Sequence, residues 1–346
     1  MFEYILYDIR FNKEKGYKTI SKHYIIMLNP IYIQKYNIYD IFHNDNNNII
    51  IISPMEQSQL VINYKNINFD VNICSHNHTY IYVLQKQIDY INQITLTINS
   101  EIIETKVNKY QEFKDKIIFS TIVLNEDNYI VQWINYHYKI GISHFIIYDN
   151  SNNNTLETTL NKFIENNIVI LIKWKYPYLL QKSGFSAQTT QQNHSIWAFK
   201  NSKYIGLFDI DEYINLKMEN NINILLQKII DYNNININDI GSFRLLNKFF
   251  YNPHNLSTTN YDFLNIYNCD QITLQGHEKN FVIPKNVLVF SIHMIIKGKK
   301  MLTIPHNILF FNHYYFLNKS NRGINKTDLI DDSIKYNVSS LLKDSI

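Results

Sequence analysis

Residues 117–149 begin with the apolar run Ile117-Ile118-Phe119-Ser120-Thr121-Ile122-Val123-Leu124 and are broken at Asn125-Glu126-Asp127. They end in a second run, His144-Phe145-Ile146-Ile147-Tyr148-Asp149. A run apolar at nearly every position, not at alternate ones, fits a strand covered on both faces in a parallel sheet. Between the two runs Ile130, Trp133, Ile134, His137 and Ile140 recur at helical spacing, and Gly141 stands where a helix stops. A second helical pattern covers about 156–165, and a third apolar run is Val169-Ile170-Leu171-Ile172-Lys173-Trp174. This alternation predicts a right-handed parallel α/β unit. Ligands of such sheets sit beyond the carboxyl ends of the strands. Asn125 and Glu126 follow the first strand there, and Asp149 closes the second.

A later strand, Tyr204-Ile205-Gly206-Leu207-Phe208, runs into Asp209-Ile210-Asp211-Glu212. A buried strand cannot end in three carboxylates without compensation, so it is predicted to open on a cleft that holds something positive. If the chain stays extended, Asp209 and Asp211 point to one side and converge on one cation. Hard oxygen ligands suit Mg²⁺ or Mn²⁺, ions that bridge carboxylates to substrate phosphates. A solvated acidic cluster is the alternative for so short a motif.

Composition narrows the classes. The chain has 346 residues, enough for one large domain or two smaller ones. A net charge of +3 is too small to argue for nucleic acid. Two cysteines, Cys74 and Cys269, without paired spacing, exclude a disulfide framework and favour a reducing compartment. The first residues show no signal-peptide core, and no apolar run reaches membrane length. The expectation is a soluble, cytoplasmic protein, with peripheral membrane association through a partner. Neither a GxGxxG nor a GxxxxGK[ST] motif is present, so a phosphate-bearing substrate would be held by a metal and not by a glycine loop.

Residues 1–115 read as a β-rich accessory region of short runs such as Tyr24–Leu28, Ile49–Ile52, Tyr80–Leu84 and Ile94–Ile98. Its His76 and His78 could clip a metal, but a surface turn is the simpler reading. Residues 116–330 read as the α/β domain and 331–346 as a C-terminal tail. The polar segment 181–201 reads as a helix beside the metal site, either touching substrate or showing a polar face to water. Lys297-Gly298-Lys299-Lys300 reads as a hairpin turn between two apolar runs.

Four blocks in this order are similar to glycosyltransferase family 92, formerly a domain of unknown function. They are TIVLNEDNYIVQWINYHYKIGISHFIIYDNS at 121–151, YIGLFDIDEYI at 204–214, EKNFVIPKNV with FSIH at 278–293, and FFNHYYFLNKS at 310–320. The resemblance covers roughly residues 117–330. It implies a GT-A fold, Rossmann-like, with a nucleotide-sugar donor and a divalent metal, Mn²⁺ or Mg²⁺, on the DxD pair Asp209 and Asp211. It implies an inverting transfer of galactose from a UDP-sugar to a glycan or glycoprotein acceptor. By position it assigns Asp149 to the nucleotide, His313 to the metal or the diphosphate, and Tyr314 and Lys319 to substrate. Inversion needs a general base, for which Glu278, His293 and Asp270 are candidates. A non-catalytic glycan- or nucleotide-binding module on the same fold is the alternative.

Overall fold

The computed structural model describes residues 4–11, 18–25, 29–44, 46, 48–57, 59–64, 67–76, 79–84, 91–125, 127–179, 186–252, 262–270, 277–314 and 329–338. The predicted unit is present: β1 (Ile117–Val123), α1 (Asp127–Lys139), β2 (His144–Asp149), α2 (Thr155–Glu165) and β3 (Val169–Lys173). Then come α3 (Ser186–Ala198), β4 (Tyr204–Leu207), β5 (Glu212–Leu216), α4 (Ile222–Tyr232), β6 (Ile240–Leu245) and β7 (Asn247–Phe249). The last elements used here are β8 (Lys279–Val282), β9 (Val287–Ser291), β10 (Met294–Gly298), β11 (Lys300–Thr303) and β12 (Leu309–His313).

One seven-stranded sheet has the order β3-β2-β1-β4-β8-β6-β11. The first four strands are parallel, and β8 runs antiparallel between β4 and β6. Expected GT-A-like α/β architecture after a β-rich region is therefore what the chain adopts. A second sheet, β5-β12-β7, stands beside the first and begins at Glu212. Among the described residues, no helix is long and apolar enough to cross a membrane.

Gly206 shows how tightly the main sheet is packed at its centre. A Cβ built there would lie 2.3 Å from Phe119 Cε1 and 3.2 Å from Phe281 Cε1, both on neighbouring strands. Only glycine lets the two rings close over β4.

The free edge of β5 is closed by side chains. Trp133 Nε1 of α1 donates to Glu212 O at 2.9 Å, Tyr136 Oη donates to Ile214 O at 2.5 Å, and Ile214 N donates to His137 Nε2 at 3.3 Å. His137 Nδ1 in turn donates to Trp133 O at 2.8 Å. The helical stripe thus does more than fill the core: it supplies the hydrogen bonds that a neighbouring strand would give.

Helix α3 departs from expectation. From Ala187 to Lys200 every residue is buried, so no polar face meets water. The helix lies between the main sheet and an N-terminal sheet built from Asp40–His43, Ile49–Ser53, Thr79–Leu84 and Val71–His76, with Asn108–Lys109. Several of its polar groups are matched individually. Gln191 Nε2 donates to Ser120 Oγ at 2.6 Å, and Asn193 bonds both the N–H and the C=O of Phe290. His194 lies between Tyr148 Oη at 2.7 Å and Asp40 Oδ2 at 2.9 Å. The N-terminal and α/β regions share one apolar cluster in which Tyr39, Phe42 and Ile50 pack with Ile146, Trp174 and Ile196.

One local reading is corrected. Lys297–Lys300 does not join paired strands: β10 pairs with β9, whereas β11 adds to the main sheet beside β6. The hairpin turn is at Ile292-His293, inside what read as a single run. Residues 331–338 dock on the body, with Ile334 fully buried and Asp331 paired to Lys217 and Lys248. His78 and residues 26–28 lie outside the described residues.

Two outcomes test this packing. Gly206→Ala should lower unfolding stability by about 2 kcal/mol through overpacking, read by denaturant titration. Burial pushes the His137 imidazole down to about 3, from an ordinary value of 6.5. Its folded pKa lies below the unfolded one, so its contribution is complete above pH 6.5 and is lost as pH falls toward 3. It should reach roughly 5 kcal/mol over that window, and His137→Gln should flatten the corresponding part of the stability–pH curve.

Candidate metal and donor site

After β4 the chain does not stay extended. Residues 209–212 form a turn closed by Glu212 N donating to Asp209 O at 3.1 Å, while Asp209 N donates to Glu212 Oε2 at 2.9 Å. The extended backbone on which the same-side argument for Asp209 and Asp211 rested is therefore replaced by a turn. Asp209 leans onto Lys279, Nζ to Oδ2 2.7 Å. Asp211 turns to His313, Nε2 to Oδ2 3.4 Å, and Glu212 Oε1 lies 3.7 Å from His313 Nδ1.

Lys279 is the residue that sequence reasoning passed over. Its side chain is 3% exposed, and its ammonium also lies 3.3 Å from Glu212 Oε2. Burial alone would lower its pKa, but Asp209 and Glu212 outweigh that and hold it above the ordinary range. Burial pushes Asp209 up, and the nearby Lys279 more than reverses it, leaving that carboxyl below the usual range. Burial pushes Glu212 up to about 8 despite Lys279. A signal was available in the charge balance: three carboxylates at a buried strand end call for a cation from elsewhere in the chain.

Ligand atoms of Asp211, Glu212 and His313 lie within 4.8 Å of one another. His313 belongs to β12, whose antiparallel register sets it directly opposite Glu212. Asp211 is fixed through its carbonyl, which accepts from Tyr314 N at 2.8 Å. Two carboxylate oxygens and one imidazole nitrogen on a small, mostly buried wall fit a divalent first-row cation, and the imidazole favours Mn²⁺ over Mg²⁺. Three carboxyl groups face one ammonium and one imidazole here.

Other candidates have distinct places. Asp149 ends β2 as expected but has no exposed side-chain surface. Its oxygens accept from Lys173 Nζ at 2.8 Å and Ser151 N at 3.0 Å. The cause is register, since Asp149 pairs directly with Lys173 on β3. Tyr314 is likewise buried, packed on Tyr213 and Phe250, and it acts on the site through its backbone and not through its phenol. Asn125 is exposed at the strand end, with φ 54°, and its N–H donates to Ser151 Oγ at 2.9 Å. Glu126 and Lys319 lie outside the described residues.

Glu278 is 9% exposed, and its carboxylate has no side-chain partner among the described residues. His293 is half-buried, and its Nδ1 donates to Glu278 O at 2.8 Å. Asp270 is buried and accepts from Phe249 N at 3.0 Å. His277, unremarked in the sequence, lies with its ring centroid 6.4 Å from that of His293 and 6.3 Å from that of His313. Gln188 reaches the same place from α3, its Nε2 3.5 Å from Asp209 Oδ1.

Lys279→Met should strip the cluster of its internal cation and lower stability by about 3 kcal/mol. Pairing it with Asp209→Asn should recover part of that loss, and a double-mutant cycle by denaturation measures the coupling.

Comparison with known proteins bears on the whole α/β region. A protein of Ricinus communis described as a glycosyltransferase family 92 protein is 22% identical over 213 residues, 59% of this chain and 35% of that protein. One of Arabidopsis thaliana with the same description is 21% identical over 229 residues, 63% of this chain and 38% of the relative. The chain thus spans little more than a third of the length of these relatives. Among solved structures, the apo WbbM bifunctional glycosyltransferase is similar over 42% of this chain and 27% of that one, at 12% identity and a TM-score of 0.27. The family profile described as Glycosyltransferase family 92 matches residues 119–343, well over half of the sequence and all of the elements that build the cleft; the chain belongs to glycosyltransferase family 92.

Proposed function

We propose that this protein is a metal-dependent glycosyltransferase. It moves a sugar, galactose in the first instance, from a UDP-sugar to a hydroxyl of a glycan acceptor with inversion at the anomeric carbon. The observation that carries this reading is the convergence of Asp211, Glu212 and His313, about a hundred residues apart in the chain, on one wall of the cleft. Family membership supplies the reaction class.

Asp211, Glu212 and His313 are the residues that would hold Mn²⁺ or Mg²⁺. Bound there, the cation supplies Lewis-acid stabilisation of the charge that builds on the leaving diphosphate. Asp209 is 42% exposed on its side chain, although Lys279 takes one of its oxygens. It can still accept hydrogen bonds from hydroxyls of the donor. Lys279 keeps that carboxylate ionised and fixed. Asn125, exposed at the carboxyl end of β1, is a further candidate for contact with the donor. The proton of the acceptor hydroxyl goes to a base on the β8 side, where Glu278 and His293 stand.

Calorimetry with UDP-galactose and other UDP-sugars, with Mn²⁺ and after chelation, tests the reading, together with UDP release. Binding and release should require the cation, and Asp211→Asn should reduce release by about 100-fold or more. Equal binding of UDP-sugars with and without divalent cation would defeat the proposal. Burial pushes His313 down, but Asp211 outweighs it and leaves the imidazole above its ordinary value of 6.5. A protonated imidazole cannot ligate, so Mn²⁺ affinity should weaken as pH falls toward and below that raised value. His313→Ala should remove this component and narrow the preference for Mn²⁺ over Mg²⁺.

A further inference from the structure

The β9–β10 hairpin turns in two residues, Ile292 and His293, with Ser291 opposite Met294. Such turns call for a positive φ, and glycine or asparagine usually provides it. Here the residue with φ 40° is Ile292. A β-branched side chain in that region is an outlier, and strain of this kind persists only where surrounding contacts impose it. Those contacts are present. Asn280 Nδ2 of β8 donates to His293 O at 2.8 Å, and Gln192 Nε2 of α3 reaches Ile292 O at 3.4 Å. His293 N also donates to Ser291 O across the turn. The tip is thereby clamped between the two elements that deliver Lys279 and Gln188 to Asp209.

The clamp also decides the state of the imidazole. A backbone carbonyl can only accept, so the 2.8 Å contact with Glu278 O puts a proton on His293 Nδ1. In the neutral ring the lone pair is then on Nε2. No hydrogen bond occupies that nitrogen among the described residues. Burial, and then the charge of Lys279, hold this imidazole below its ordinary value, which keeps it neutral.

We propose that His293 Nε2 is the general base of the transfer and that the strained turn at Ile292 is the device that positions it. This assignment rests on the glycosyl-transfer reading of the cleft. The acceptor O–H proton passes to Nε2, and the hydroxyl oxygen uses the freed pair to bond the anomeric carbon. The bond from that carbon to the diphosphate oxygen breaks, and its pair leaves with the UDP. The imidazolium then gives its proton to solvent. Glu278 serves through its carbonyl, as the orienting partner of the ring, and its carboxylate is not needed for proton removal.

The test uses UDP-galactose with Mn²⁺, water as acceptor and UDP release as readout, with UDP binding measured in parallel. His293→Asn keeps a donor for Glu278 O and removes the base. It should lower kcat by about 100-fold or more while KM and UDP affinity stay within about threefold. Added imidazole should restore turnover to His293→Gly, which leaves a cavity, and not to His293→Asn. Ile292→Gly should raise the melting temperature and lower kcat with KM little changed, and it keeps the idea falsifiable if the histidine variants do not fold. Turnover of His293→Asn within threefold of the parent would overturn the base assignment, as would a loss of UDP affinity in step with turnover. Unchanged turnover in Ile292→Gly would overturn the positioning role. Absence of UDP binding and release in the parent protein would remove the transferase reading, and this proposal with it.

Discussion

Three carboxylates in one four-residue turn, at the end of a buried strand, are the charge around which this molecule is arranged. Left alone in an interior they would be protonated or would unfold the strand that carries them. The fold answers with one ammonium, from Lys279 on the adjacent strand, and one imidazole, from His313 on the strand opposite Glu212. Burial adds to that answer by pushing the Glu212 carboxyl up to about 8. Asp211, Glu212 and His313 are left with ligand atoms within 4.8 Å of one another.

Holding such a turn in place requires rigid neighbours on every side. On one side α1 gives Trp133, Tyr136 and His137 to the backbone of β5, which starts at Glu212. On another, β12 pairs with β5 in register and fixes Asp211 through Tyr314 N. From behind, α3 brings Gln188 toward Asp209 while Gln191, His194 and Asn193 bond to β1, β2 and the β9–β10 hairpin. A buried helix rich in Gln, Asn and Thr would be costly if its groups were unmatched; matched, it specifies one arrangement of the elements around it. Asp40 extends that matching into the N-terminal region, because its carboxylate meets His194 and also accepts from Tyr110 Oη. The N-terminal sheet is thus part of the packing behind the cleft and covers α3 from the far side.

Two groups of side chains meet around the acidic turn. One, from β5 and β12, is acidic with an imidazole and suits a cation. The other, from the start of β8 and the β9–β10 hairpin, carries Glu278 and His293, joined by the contact of His293 Nδ1 with Glu278 O. The separation follows from topology, since β8 runs antiparallel between parallel neighbours and so starts where they end. Its first residue, Lys279, sits at the boundary and belongs to both groups.

The sequence by itself determined the α/β unit, because continuous apolar runs and a 3.6-residue period are local properties that tertiary contacts here reinforce. It also determined that the acidic stretch after Phe208 ends a buried strand and needs a positive partner. Four ordered blocks were enough to indicate the family. What the sequence could not determine was direction. Whether Asp209 and Asp211 share a side depends on the backbone being extended, and a turn closed by Glu212 changes that. Whether Asp149 is free depends on which residue of β3 lies beside it, and the register supplies Lys173. Whether the polar segment before Tyr204 is a solvated face depends on a sheet a hundred residues earlier in the chain. Lys279 is one lysine among many until β8 is placed beside β4. Each of these is a long-range pairing, set by sheet register and by the need to satisfy buried charge, and only the assembled structure decides them.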